Sequence, residues 1–236
     1  MRNTFTFGGI SSSSYSCYIS GGGTFNSPER EYELIDVPGR NGSLVGLEKR
    51  FMNVDVTYPA FIPTNFKSNM ASLRSALLSK VGYQKLTDTY HTDEYRKALF
   101  TGDIEVDVIP QLTAGQFNLT FNCKPQRYLT SGETKTTITS ANGSISNPTE
   151  FDSQPLITVY GYGILYIGSQ KITIANVYDS VSIDSEMGDC YSGSYNANHA
   201  VTFQDNDFPV LVPGTNSTQK ANTITKIEIT PRWWRV

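Results

Sequence analysis

Apolar and polar residues alternate along most of this chain, and the alternation predicts β-strands nearly everywhere. The clearest stretches are RFMNVDVTY, QFNLTFNC and GDIEVDV. In each of them the apolar residues share one face: Met52, Val54, Val56 and Tyr58; Phe117, Leu119, Phe121 and Cys123; Ile104, Val106 and Val108. A period of two residues is typical of strands with one buried and one solvated face.

A tight hairpin is predicted in the second half of the chain. The apolar stretches GILYIG and KITIANV are separated by Gly168, Ser169 and Gln170. A short glycine-containing segment between two strand-like runs indicates that the strands pair with each other.

One segment departs from this pattern and predicts a single amphipathic helix near residues 65–81. Thr64 or Asn65 can cap its N-terminus, and Gly82 stands where a left-handed residue commonly ends a helix. The opposite face is polar, so we expect the helix to cover a sheet; a partner-binding helix is the less favoured alternative. The apolar residues at helical spacing are Phe66, Met70, Leu73, Leu77 and Val81.

The composition fits an all-β protein and argues against nucleic-acid binding. Charged residues make up only 17% of the chain and aromatic residues 12%, and aromatic side chains pack well on a pleated sheet. The net charge is −3 and the isoelectric point is about 5.4. Nucleic-acid binding favours clustered positive charge and a basic isoelectric point.

The cysteines and the apolar runs indicate a protein made in a cytosol. Cys17, Cys123 and Cys190 lie far apart and form no C-x-x-C pair, so we expect buried, reduced thiols rather than a disulfide framework. The N-terminus lacks the apolar region of a signal peptide. No apolar run approaches the roughly 18 residues that span a bilayer, and we expect no membrane insertion.

The alternation weakens between about residues 125 and 155, where Thr, Ser, Gly and Pro are frequent. A second set of strands is predicted to begin at LITVYGYG, which starts at Leu156. We therefore predict two β-rich domains, 1–130 with the helix and 131–236.

The sequence contains no recognisable catalytic, cofactor or metal site, and we expect no enzyme. His91 and His199 are its two histidines, and no zinc-ligand spacing, nucleophile elbow or phosphate-binding loop accompanies them. Asp184, Glu186 and Asp189 are candidates for a carboxylate pair or a calcium site. A polar strand end that leads into a turn explains these three residues better.

The C-terminal stretch IEITPRWWRV contains both tryptophans. Pro231 lacks an N–H and favours a bulge or a sheet edge. Trp233 has the parity of Ile227 and Ile229, which predicts a core anchor. Trp234 has the parity of Arg232, and this pair is predicted to cover the first domain or a neighbouring subunit.

Six stretches, in order along nearly the whole chain, resemble siphophage distal tail proteins. They are NTFTFGGISSSSYSCYISG, VPGRNGSL, FNCKPQRYLTSGE, IDSEMGDCYSGSYNANHAV, FPVLVPGTN and ITPRWWRV. Such proteins occur in phages and prophages.

The resemblance implies a structural role in the virion tail of a phage, after synthesis in the bacterial host cytoplasm. It implies a mainly β fold with two β-sandwich-like domains, of which the first carries a helix and an extending hairpin and the second is galectin-like. It further implies a homo-hexameric ring at the distal end of the tail tube. The partners it implies are the major tail tube protein, the tail-tip or tail-associated protein, and receptor-binding proteins.

A closed ring needs complementary patches on each subunit, and VPGRNG is a candidate patch. It comprises Pro38, Gly39, Arg40, Asn41 and Gly42, in which the glycines permit positive φ and Arg40 offers a fork of donors. A hairpin tip that is stabilised within its own subunit, with Arg40 in solvent, is an equal alternative.

Two other functions compete with the ring. A galectin-like domain suggests a carbohydrate-binding host-adhesion module, although Asn198 and His199 lack the arginine of the galectin set, and neither tryptophan is followed by the galectin pattern. A cell-wall hydrolase is the second rival, and the chain has no additional length for one.

Overall fold

A computed structural model of the chain describes residues 2–46, 50–102, 104, 106–108 and 113–236. The chain divides into two compact units, which are residues 1–127 together with Val236, and residues 128–235. Each unit has a hydrophobic core of its own.

In the described part of unit 1, a large β-sheet packs with one α-helix. The sheet runs in the order β2-β1-β7-β8-β10-β6-β3, and β9 pairs with β10. The elements are β1 Phe5–Phe7, β2 Ile10–Ser11, β3 Tyr18–Ile19, β4 Leu34–Ile35, β5 Leu44–Val45, β6 Val54–Ile62, α1 Phe66–Leu78, β7 Gln84–Asp88, β8 Glu94–Phe100, β9 Val106–Val108 and β10 Gly115–Leu129. Strands β4 and β5 form a separate two-stranded sheet.

The predicted alternation holds in the two long central strands. Val56 pairs with Phe121 and Tyr58 with Leu119 across β6 and β10, and all four side chains are buried. The Phe121 ring contacts three other phenylalanine rings at centroid distances of 5.2 to 5.5 Å: Phe5, Phe7 and Phe100. An aromatic cluster on the inner face of the sheet therefore forms the centre of this core.

Two strand predictions in this unit need correction or lie partly outside the described residues. Met52 is 43% exposed, and β6 begins only at Val54, because the Met52 N–H donates to the Glu29 carbonyl, which lies outside this sheet. In GDIEVDV the structure has the short strand β9, whereas Asp103 and Glu105 lie outside the described residues.

The predicted helix is present but shorter than expected. Its buried face consists of Phe66, Met70, Leu73 and Leu77, and each such side chain contributes about 2 kcal/mol when removed from water. Val81 is 88% exposed and Gly82 lies beyond the helix, because the backbone N–H of Lys80 already closes on Leu77 in a tightened last turn. Asn65 occupies the N-cap position with φ +51° and makes no side-chain capping bond.

Unit 2 is a sandwich of two antiparallel sheets. One sheet has the order β11-β21-β13-β16-β17-β18 and the other β12-β20-β14-β15-β19. The strands are β11 Thr136–Ile138, β12 Asn142–Asn147, β13 Leu156–Gly161, β14 Gly163–Ile167, β15 Gln170–Ile174, β16 Ser180–Asp184, β17 Asp189–Ser192, β18 Tyr195–Asn196, β19 Val201–Phe203, β20 Gly214–Lys220, β21 Ile224–Thr230 and β22 Trp234–Arg235. Ile157, Ile183 and Ile229 of one sheet share a core with Leu165 and Ile172 of the other.

The strands of unit 2 begin earlier than the sequence predicted. β11 and β12 precede Leu156, in the stretch where the apolar alternation is weak. Each of them places only one isoleucine in the core, Ile138 and Ile145, so the local sequence shows no run of alternating apolar residues. The predicted hairpin is formed by β14 and β15, and Gln170 belongs to the second strand, where it pairs with Ile167.

Candidate assembly surface

Residues 29–46 and 50–52 form a hairpin in unit 1, which we call the arm. Leu34 pairs with Val45 and Ile35 with Leu44, and the Gly46 N–H donates to the Glu33 carbonyl over 2.7 Å. Glu33 and Gly46 thus extend the ladder by one bond beyond the paired strands. The sequence forms a hairpin here because branched apolar residues flank a turn that is rich in Pro and Gly.

The lower part of the arm is held by backbone and charged contacts. Arg30 and Phe51 form a bridge, and the Arg30 guanidinium lies 4.2 Å from the centre of the Phe51 ring. Arg50 and Glu31 form an ion pair of 2.8 Å in which both side chains are exposed. Exposed pairs of this kind contribute between about 0 and 1 kcal/mol, so the arm depends mainly on its backbone ladder.

Every residue from 31 to 45 is exposed. Residues directly opposite each other in an antiparallel pair lie on the same face, and neighbouring pairs lie on opposite faces. Leu34 and Val45, at 65% and 60% exposed, therefore form one apolar face, and Ile35 and Leu44, at 46% and 40%, form the other. An isolated two-stranded hairpin is only marginally stable in water, and exposed apolar clusters commonly mark protein–protein contacts.

The predicted patch Pro38–Gly42 lies at the tip of the arm. Gly39 and Gly42 have φ of +81° and +78°, which is the backbone freedom that this turn requires. The Arg40 N–H donates to the Val37 carbonyl over 3.1 Å, and Ser43 Oγ donates to Asp36 Oδ1 over 2.5 Å. Within the part of the chain that the structure describes, the Arg40 side chain makes no hydrogen bond or ion pair.

Arg232, the first of the C-terminal site residues, binds Asp184 inside unit 2. Its Nη1 lies 2.6 Å from Asp184 Oδ1 and its Nη2 lies 2.8 Å from Oδ2. Burial favours a higher pKa for Asp184, but the hydrogen bonds from Arg232 and from the backbone of Met187 and Glu186 outweigh it and lower the pKa. The same pairing raises the pKa of Arg232.

Trp233 lies in the core of unit 2 with Ile227 and Ile229, and it is 5% exposed. Its carbonyl accepts a bond from the Leu129 N–H over 2.8 Å. Gly132 packs closely against the Trp233 backbone. A Cβ at position 132 would lie 2.4 Å from the Trp233 backbone nitrogen. The end of unit 2 is thereby joined to its beginning.

Trp234 has partners in unit 2 as well. Its ring stacks on Phe151 at a centroid distance of 4.4 Å, and its Nε1–H donates to the Asp152 carbonyl over 2.9 Å. The two tryptophans thus have different surroundings, one in the core and one on a half-buried ring stack. The role of Arg232 and Trp234 in a seam between subunits stays a prediction.

The acidic residues considered as a site do not form one. β16 ends at Asp184 and β17 begins at Asp189, with a turn between them, and Asp184 is paired with Arg232. Among the described residues, no group of three His, Cys, Asp or Glu side chains could hold a metal ion. Asn198 is also committed to structure, because it accepts from the Cys190 N–H and donates to Asp189.

The three cysteines are free and buried, as the sequence predicted. Burial raises the pKa of Cys17, Cys123 and Cys190 to about 12. These thiols are therefore unreactive in the folded chain. No helix of the described residues is long and apolar enough to cross a membrane.

The sequence did not reveal two features of unit 1. The apolar pairs on the arm, in ELIDV and SLVG, flank the recognised turn, and this symmetry could have shown that both faces of the hairpin are apolar. The buried pair of Arg127 and Glu94, at 2.6 Å, had no local signal, because its members lie on different strands.

The fold of this chain is similar to solved structures that include a phage adsorption-hub protein. One such solved structure is that of SPP1 Dit (gp 19.1), described as a paradigm of the hub adsorption apparatus in phages that infect Gram-positive bacteria. The two chains match over 100% of both lengths with a TM-score of 0.79 and 14% identity. The mainly β fold that the sequence predicted is thereby confirmed. No family model and no curated protein sequence matches the chain.

Proposed function

We propose that the chain is a structural phage or prophage tail protein that forms a hexameric ring at the distal end of the tail tube. The ring would join the tube to the tail-tip or host-adhesion device in the virion. The fold shared over the full length with a phage adsorption hub supports this role. The observation that carries the proposal is the arm, whose two apolar faces are uncovered.

A closed ring requires that one surface of each subunit contacts a different surface of the next. The arm provides the first of these surfaces, because an apolar hairpin gains stability when a neighbour covers it. Arg40 at its tip can bind carboxylates or carbonyls of that neighbour. The tube protein, the tail-tip protein and receptor-binding proteins are the proposed partners of the ring, and the proposed role is not enzymatic.

Electron microscopy of the purified chain in negative stain tests the ring. We expect six-fold particles with an open centre and a mass in solution of six times 26.1 kDa. Arg40→Glu should weaken the ring and leave the monomer folded, with Arg74→Glu on the exposed side of α1 as the control. A compact monomer at all concentrations would contradict the proposal, and intact rings of Arg40→Glu at low concentration would contradict the role of Arg40.

The second candidate function is a carbohydrate-binding host-adhesion module. It is supported by a groove of about 560 Å³ in unit 2, which is lined by Phe203, Phe208, Lys171, Asp205 and Asp207 among others. Aromatic rings beside a few polar groups are typical of small-ligand sites. A glycan array tests this function: binding that Phe208→Ala abolishes would favour it, and an absence of hits would contradict it.

A further inference from the structure

A buried ionic cluster lies beneath the segment that leads into the arm. Arg127 Nη1 lies 2.6 Å from Glu94 Oε1, and these side chains are 9% and 5% exposed. Arg127 Nη2 also donates to two backbone carbonyls, those of Thr24 over 2.7 Å and Asn26 over 3.2 Å. The Arg127 guanidinium therefore connects β8 and β10 to residues 24–26, which precede the arm.

These contacts fix the backbone on both sides of Phe25. Thr24 is buried, and Asn26 Nδ2 donates to the Asp55 carbonyl over 2.8 Å. Phe25 itself is 77% exposed, and its ring meets the edge of the His91 ring at 5.1 Å. The segment is thus held by main-chain contacts rather than by burial of its own large side chain.

The chemistry of this connection requires arginine. A guanidinium presents several donors in a rigid plane, so it can bind a carboxylate through one nitrogen and carbonyls through another. A lysine ammonium is a compact point charge. A lysine at this position can form an ion pair with Glu94 in place of arginine. It cannot bind the two backbone carbonyls with the same planar geometry.

We propose that Arg127 is a positioning residue that sets the direction of the arm and thereby makes the chain competent to assemble. The part of this proposal that concerns assembly rests on the proposed function. The part that concerns the arm does not, because the contacts of Arg127 lie within unit 1 and are present in a single chain.

Arg96 provides a contrast within the same cluster. Among the described residues, the Arg96 side chain makes one long hydrogen bond, 3.4 Å from Nη2 to the Asn26 carbonyl, and its buried Nη1 has no hydrogen-bond partner. Burial and the neighbouring charge of Arg127 lower the pKa of Arg96. Arg96 therefore contributes little to holding the segment.

Two variants separate the positioning of the arm from the stability of the fold. Arg127→Lys keeps the charge opposite Glu94 and removes the fork to Thr24 and Asn26. Glu94→Gln weakens the ion pair and leaves that fork in place. We expect Glu94→Gln to lower the melting temperature more, and Arg127→Lys to release the arm more. Arg96→Met is the control, with the arm unchanged.

The direction of the arm can be measured with spin labels at Asn41→Cys on the tip and Lys67→Cys on α1. The three natural cysteines are buried and stay unlabelled. We expect Arg127→Lys to broaden the distance distribution about twofold, and Glu94→Gln to leave it unchanged. We also expect Arg127→Lys to raise the concentration needed for half-assembly about tenfold.

The outcomes distinguish the two proposals. If the arm of Arg127→Lys keeps the distribution of the unmodified chain, the positioning role is wrong, whether or not rings form. If assembly simply follows the melting temperature in both variants, Arg127 stabilises the fold and does not position the arm. If the unmodified chain forms no ring but Arg127→Lys broadens the distribution, the proposed function fails and the positioning of the arm stands.

Discussion

Arg232 and Asp184 form two parallel hydrogen bonds, of 2.6 and 2.8 Å, although 48 residues separate them in the sequence. The pair joins the segment after β21 to the end of β16. A fork-to-carboxylate contact of this kind is stronger than a neutral hydrogen bond and fixes the relative orientation of both groups.

The stability that the pair of Arg232 and Asp184 contributes should be lost at acidic pH. The pKa of Asp184 is lower in the folded chain than its usual value of about 3.9. Its contribution is therefore fully present above about pH 4, and it is lost as the pH falls through the lower pKa of the folded state. Asp184→Asn should lower the melting temperature at pH 7 and show a smaller further loss between pH 4 and pH 2, measured by thermal unfolding. If the melting temperature of Asp184→Asn fell between pH 4 and pH 2 as steeply as that of the unmodified chain, this prediction would be wrong.

The backbone at Arg232 predicts an unusual order of stability among its variants. Its φ is +58°, a left-handed conformation that costs residues with a Cβ about 1–2 kcal/mol and glycine little. Both Arg232→Ala and Arg232→Gly lose the contact with Asp184, so both should be less stable than the unmodified chain. The free energy of unfolding, measured by chemical denaturation, should be about 1 kcal/mol higher for Arg232→Gly than for Arg232→Ala. Equal stabilities would show that the backbone relaxes without this residue.

The two tryptophans should respond differently to truncation. Trp233→Ala should cost about 3–5 kcal/mol, because it removes a large aromatic side chain from the core of unit 2. Trp234→Ala should cost less, since it loses a half-buried stack on Phe151 and one hydrogen bond, and the predicted seam with a neighbouring subunit implies a weaker ring. Trp234→Phe keeps the stack and is the control. Small and equal changes in melting temperature for both alanine variants would rule out this division.

The apolar faces of the arm should matter for assembly and not for the fold of the subunit. Leu34→Ser with Val45→Ser removes one face, and both residues are already exposed in the single chain. We expect rings to be lost and the melting temperature of the monomer to shift little, measured by light scattering and by thermal unfolding. Val81→Ser, which changes a still more exposed valine outside the arm, should leave rings intact. Rings that survive the double variant at low concentration would show that another surface closes them.

Local sequence was sufficient to predict the long central strands of unit 1 and the helix. The alternation in β6 and β10 identified buried residues such as Val56 and Phe121, because side chains on a strand point to opposite faces in turn. The helical spacing of Phe66 and Leu77 identified the covering helix in the same way. The end of that helix was predicted less well, since backbone bonds at Leu77 and Lys80 closed it before Val81.

The candidate site was only partly predictable. The sequence predicted a turn at Pro38–Gly42, because proline restricts the backbone dihedral angles and glycine allows positive φ. It could not show that Leu34 and Ile35 remain uncovered, because an apolar residue in a strand is compatible with either a core or a free surface until the other strands are placed.

The sequence by itself determined the mainly β character of the chain, its amphipathic helix and the parity that separates Trp233 from Trp234, since each depends on residues a few positions apart. Only the tertiary structure decided that Arg127 reaches Thr24, 103 residues away, and that Asp184 meets Arg232. The physical reason is that local periodicity assigns a residue to a face, whereas a charged side chain finds its partner through the order of the strands. No pattern within a single strand records that order.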